Sequence, residues 1–138
     1  MNDPFVIDSS IGVGWVHPSQ ATELTRRLLE EAKAGAAVYV PSLWHLEVAN
    51  ALWVAVRRKL MSDAQRRTGL TLLSQLRLIT DDETAQRAFG TTSELAVRHL
   101  LTVYDAAYLE LAWRKALPLG TRDEPIRAAA RACGVKLL

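Results

Sequence analysis

Short apolar runs, the first two rich in β-branched residues, alternate along this chain with longer stretches of helical periodicity, and that alternation admits few folds. Phe5-Val6-Ile7 reads as a buried strand that stops abruptly at Asp8. After a loop, Ala21, Leu24, Leu28, Leu29 and Ala32 recur at helical spacing ahead of Gly35, which predicts an amphipathic helix over residues 19–34 and a strand at 37–40. Pro41-Ser42 then opens a helix over residues 43–59, with Ser42 as its N-cap. Ser62 and Gln65 have capping-box spacing ahead of Leu70, Leu72, Leu73 and Leu76, a helix that leads into the apolar run 76–79. Thr80 and Glu83 repeat that start signal for a helix carrying Ala85, Ala88, Phe89, Leu95 and Ala96, with a split expected at Gly90-Thr91-Thr92-Ser93. A strong helix over 102–116 and a strand-like run at 117–120 follow. Asp123-Glu124-Pro125 then suits an N-cap with proline in the first turn, and Gly134 closes that helix. The order predicts an α/β chain: a three-layer α/β/α sandwich on a parallel sheet of four or five strands. With 138 residues, 49% of them hydrophobic, residues 1–138 are read as one domain with a sizeable core.

Several function classes drop out. No apolar stretch approaches the ~20 residues that span a bilayer, and Met1-Asn2-Asp3-Pro4-Phe5 lacks the basic-then-apolar order of a secretory signal, so a cytoplasmic protein without membrane association is expected. Cys133 is the one cysteine, which excludes an internal disulfide and a thiolate metal cluster. His17, His45 and His99 share no ligand-like spacing. A net charge of +2 admits a polyanionic partner without requiring one. Among the basic residues, Arg57, Arg114 and Arg122 are candidate phosphate contacts, with Arg122 favoured by its place between Thr121 and Asp123; pairing with carboxylates is the alternative use.

Ligands of open parallel sheets bind beyond the carboxyl ends of the strands. Four acids fall at that edge: Asp8 after the first strand, Glu47 early in the helix after the second, Asp105 in the first turn of the helix entering the fourth, and Asp123 just after it. Taken singly, Asp8, Asp105 and Asp123 have ordinary explanations as caps or loop anchors. Glu47 does not, because it lies among Leu43, Trp44, Leu46, Val48, Ala49, Ala51, Leu52 and Trp53 and needs a buried partner or a cation. Carboxylates gathered in one pocket raise one another's pKa unless a cation joins them. Oxygen-only ligands favour magnesium, with manganese as a substitute, and such an ion suits phosphodiester hydrolysis.

The motifs resemble those of the PIN domains, and within them the VapC-type toxins of bacterial toxin–antitoxin pairs. Val6-Ile7-Asp8-Ser9-Ser10 is similar to the family's opening strand and first aspartate. Leu46-Glu47-Val48-Ala49-Asn50-Ala51-Leu52 is similar to its glutamate helix, Val103-Tyr104-Asp105-Ala106-Ala107-Tyr108-Leu109 to its third acidic motif, and Leu119-Gly120-Thr121-Arg122-Asp123 to its fourth. Gly120 and Glu124-Pro125 depart from the family's fourth motif. The resemblance implies a metal-dependent ribonuclease that inhibits translation and is restrained by an antitoxin. Asp8, Glu47, Asp105 and Asp123 would be its catalytic metal-site acids, Asp8 and Asp105 the direct ligands, and Ser9, Ser10, Asn50 and Thr121 would orient carboxylates or water. Trp44 and Trp53, nine positions apart, stand about 180° apart on a helix. One side of that helix is therefore expected on the sheet and the other against a second subunit, making a homodimer, or against an antitoxin segment. The rival readings are a phosphotransfer domain using Asp8, a non-catalytic RNA-binding or interaction module, and a PIN nuclease without an antitoxin.

Overall fold

The computed structural model describes residues 2–138, so Met1 and its part in the expected N-terminal pattern lie outside it. Strands β1 (Phe5–Ile7), β2 (Val38–Val40), β3 (Leu78–Thr80) and β4 (Leu119–Gly120) form a parallel sheet in the order β3-β2-β1-β4. Leu137 adds a single bridge beside Leu119, so the expected fifth strand is reduced to one contact. Helices α1 (Ser9–Val16), α2 (Glu23–Lys33), α3 (Trp44–Arg57), α4 (Asp63–Gln75), α5 (Thr84–Arg87), α6 (Ser93–His99), α7 (Val103–Lys115) and α8 (Glu124–Cys133) flank it as a three-layer α/β/α arrangement. Helix α1 packs on α2, α3 and α4, and α7 packs on α6, α8 and β1. All three β1 residues are buried, as a central strand covered on both faces must be. No helix among the described residues is long and apolar enough to cross a membrane.

Several start signals behave as expected. Ser62 and Gln65 bond reciprocally at the head of α4, Asp123 caps α8 with Pro125 in its first turn, and the chain breaks helical geometry at Gly90. Others do not. Ser42 makes no side-chain cap on α3, and its backbone N–H instead donates to Thr84 Oγ1. Thr80 ends β3 rather than capping α5. The helix expected from residue 19 begins at Glu23, behind a reciprocal Thr22–Thr25 box and a separate turn at Pro18–Gln20.

The largest departure is α1, which occupies the segment expected to be a loop. Gly12 and Gly14 carry no helical signal because their place is set by packing. A Cβ on Gly12 would come within 2.5 Å of the Trp44 indole, and one on Gly14 within 2.6 Å of Thr25. The missing side chains let α1 lie close against α3 and α2. Trp44 is buried there and donates from Nε1 to the Asp8 carbonyl at 3.0 Å, which ties α3 to the end of β1. Trp53, on the opposite side of α3, is half exposed as the helical geometry predicts.

Gly12→Ala is expected to lower the unfolding free energy by about 1–3 kcal/mol, because the added methyl overpacks a buried indole. Urea titration followed by tryptophan emission checks this, and an unchanged or raised midpoint would show that the α1–α3 contact can open.

Candidate active site

Because every strand runs the same way, the segments that leave β1 and β4 meet at one edge, and the Asp8 N–H bonds the Gly120 carbonyl at 3.1 Å. Asp8 sits at the end of β1, only 2% exposed. Its Oδ1 accepts from the Ser10 hydroxyl at 2.6 Å and the Ile11 N–H at 3.3 Å, and its Oδ2 accepts from the Thr121 hydroxyl at 2.5 Å. Thr121 is fully buried, and its Oγ1 in turn accepts from the Asp123 N–H at 3.0 Å. Ser10 Oγ accepts from the Arg122 N–H at 3.0 Å. The β4–α8 loop is thereby stitched onto Asp8 through the hydroxyls of Ser10 and Thr121.

Glu47 lies one turn beyond Trp44 on α3, half buried, and its Oε1 accepts a short bond from the Tyr108 phenol. Tyr108 is fully buried on α7, three residues after Asp105 and on the same face. Tyr108 answers the question Glu47 poses in the sequence, since its hydroxyl is the buried partner. It is hidden there as one of several apolar-face residues; its polar tip at i+3 from an acid is the signal that singles it out. Asp105 itself stands in the first turn of α7, its N–H bonded to Thr102 Oγ1 at 3.1 Å, and Asp123 Oδ1 caps α8 through the Ile126 N–H at 3.1 Å. Capping and clustering are therefore not alternatives for Asp8 and Asp123, which do both.

Burial raises the Asp8 pKa from 3.8 to about 6, against the bonds from Ser10, Thr121 and Ile11, and the Asp123 charge adds to the rise. Burial also raises Glu47, opposed by Tyr108 and assisted by Asp105, and raises Asp105, assisted by Asp123. The four carboxyls thus feel one another in sequence: Glu47, Asp105, Asp123, Asp8. No lysine or arginine comes within 4.0 Å of any of them among the described residues. A tighter acid group stands at the other side of the sheet, after β3, where oxygens of Asp81, Asp82 and Glu83 lie within 4.8 Å of one another. No three of the four candidate acids come together that closely. Two of that group, Asp81 and Glu83, are compensated, however, while Asp82 has no basic partner within 4.0 Å among the described residues. Arg114, only 13% exposed, bonds Asp81 at 2.8 Å, Glu83 at 3.0 Å and Glu110 at 2.7 Å. Both groups offer oxygen donors alone, so charge decides: a divalent cation fits better the set that no arginine neutralises.

The other expected residues fall as follows. Arg114 is enclosed by those three carboxylates, so its guanidinium faces protein rather than solvent. Arg122 bonds the Gln20 side-chain oxygen at 3.1 Å from Nη2. Arg57 is exposed at the last turn of α3, and Asn50 is exposed one turn beyond Glu47 with no hydrogen bond to the acids among the described residues.

The family model described as PIN domain matches residues 5–132. The chain is 30% identical over 125 residues to Ribonuclease VapC3 of Pyrobaculum aerophilum, covering 88% of this chain and 90% of that protein. Among solved structures, PAE2754 from Pyrobaculum aerophilum superposes with a TM-score of 0.70 at 22% identity, over 99% of this chain and 85% of that one. VapBC2 from Rickettsia felis, bound to a DNA fragment from its promoter, superposes with a TM-score of 0.65 at 14% identity, over 98% and 97% of the two chains. At those identities the structures attest the fold.

The raised carboxyl pKa values carry a sign. Between pH 3.8 and about 6 the folded protein keeps on Asp8 a proton that the unfolded chain has released, so stability falls as pH rises through that window. The gap corresponds to about 3 kcal/mol, and Glu47 and Asp105 act in the same direction. In metal-free buffer, Asp8→Asn is expected to melt above the wild type near pH 7, and the difference should shrink toward pH 4. Thermal melts across that range check it, and a difference independent of pH would contradict it.

Proposed function

Since the chain belongs to the PIN-domain family, we propose that it is a metal-dependent endoribonuclease that hydrolyses RNA phosphodiesters at Asp8, Glu47, Asp105 and Asp123, and that it is the toxin of a toxin–antitoxin pair. The observation that carries this reading is that, among the described residues, no lysine or arginine lies within 4.0 Å of the four carboxyls, whereas Asp81 and Glu83 share Arg114. The 30% identity to a protein named as a ribonuclease supports the activity, and the likeness to a VapBC complex supports an antitoxin partner.

Asp8 and Asp105 would hold magnesium, or manganese in its place, directly, with Glu47 and Asp123 completing the set. The bound ion would supply charge neutralisation, a more acidic water and a Lewis acid at a phosphoryl oxygen. The protein does the positioning. Thr121 and Ser10 fix both oxygens of Asp8 and prevent it from turning, and Tyr108 fixes Oε1 of Glu47. Glu47 Oε2 has no protein donor among the described residues, and the raised pKa of that carboxyl suits it to take a proton from the attacking water. Ser9 and Asn50 would orient water beside the acids. Arg122 contacts the substrate beside the acids, and Arg57 a phosphate farther along α3. A phosphotransfer role for Asp8 is disfavoured because it gives Glu47 and Asp105 no part, and no lysine lies within 4.0 Å of the acids among the described residues to neutralise a phosphoryl group.

The outer face of α3, with Leu46 77% exposed and Trp53 49% exposed, is an apolar surface of the kind that a second copy or an antitoxin helix covers. A cytoplasmic homodimer restrained by its antitoxin is the assembly we propose.

Purified protein is expected to cut pooled cellular RNA with magnesium or manganese and to stop with chelator, and Asp8→Asn should lower the rate at least about 100-fold, as loss of a direct ligand exceeds loss of its supports. Cleavage that survives chelator or Asp8→Asn would sink the reading.

A further inference from the structure

We propose that a groove beside the acids, between the first turns of α2 and α8, binds a second phosphate of the RNA backbone, next to the one that is cut. This rests on the nuclease reading above. The groove holds about 510 Å³, and Arg27, Arg122 and Arg127 line it together with Thr121 and the acids Glu23 and Glu124. It adjoins the acids through the chain itself, since Thr121 lines the groove while its hydroxyl bonds Asp8, and Arg122 and Glu124 bracket Asp123.

The three arginines are not alike. Arg127 is a strut: Nη1 donates to the Thr121 carbonyl at 2.9 Å, and Nε stands 4.0 Å from Glu124, whose other oxygen takes Arg131 at 3.0 Å. Arg27 is exposed, and Arg122 is half buried with only the neutral Gln20 side chain as partner. Neither has a carboxylate within 4.0 Å among the described residues, whereas Arg66, Arg67, Arg87 and Arg114 all do. Two guanidiniums without a counter-charge thus face one concavity at the border of an acidic site.

A polyanion needs that border. Four carboxyls repel every phosphate of a strand except one joined to them through a cation, and fixed positive charge one nucleotide away offsets the repulsion. Guanidinium forks suit phosphate oxygens, and the concavity is large enough for a phosphate with its ribose. An acidic protein segment offers carboxylates to the same forks, but the continuity with the scissile site favours RNA.

The test measures binding of a short, mixed-sequence single-stranded RNA to the Asp8→Asn protein with manganese present, across a series of salt concentrations. Arg27→Ala and Arg122→Ala are each expected to weaken binding roughly three- to tenfold and to flatten the slope of log K against log salt by about 0.7. Arg27→Lys should keep the slope, because it keeps the charge, and manganese affinity measured by calorimetry should not change in any of the three. Unchanged RNA affinity and slope in both alanine variants would overturn the proposal while leaving the nuclease reading intact. So would alanine variants that lose only an acidic peptide and still bind RNA normally. If the Asp8→Asn parent binds no RNA and the wild type cuts none, the nuclease reading falls and the groove's assignment falls with it.

Discussion

Asp8 holds the carboxyl edge of this fold together. Its carbonyl takes the Trp44 indole, its Oδ1 starts α1 and takes Ser10, and its Oδ2 takes Thr121, so one residue joins β1, α1, α3 and the β4–α8 loop. Three donors on a buried carboxylate would ordinarily keep its pKa low, yet burial and the neighbouring Asp123 outweigh them. The protein thus holds a carboxyl rigidly in place without relieving its charge. An internal ion pair would relieve it, as Arg114 does for Asp81, Glu83 and Glu110. We propose that this difference marks the Asp8 set as the one with a ligand to receive.

Rigidity and uncompensated charge explain each other here. Hydrogen bonds from hydroxyls orient an anion while contributing only partial charge, so Thr121, Ser10 and Tyr108 position Asp8 and Glu47 without competing with a cation. Glycines contribute from a distance: the bare backbone of α1 at Gly12 lets Trp44 close on Asp8, which sets Glu47 one turn further along α3.

The strands, and the places of the four candidate acids at strand ends and helix starts, are legible in the sequence because each depends on local signals: an apolar run that stops at a carboxylate, and a helix start after it. The Ser62–Gln65 box and the Asp123 cap are legible for the same reason. Helix α1 is not, since its stability comes from contacts with Trp44 and Thr25 that its glycines permit, while its local propensity opposes it. Tyr108 is hidden by its own apolar ring, and the enclosure of Arg114 depends on acids 31 and 33 positions away. Pairings across such separations leave no periodic trace.

Manganese titration by calorimetry near neutral pH, on wild type, Asp8→Asn and Asp82→Asn, tests the central claim that the cation site is the uncompensated set. The account predicts that Asp8→Asn weakens binding at least about tenfold, as loss of a ligand or its support does, and that Asp82→Asn binds as the wild type does. Loss of binding in Asp82→Asn with full binding in Asp8→Asn would place the ion at the acids after β3 and contradict it.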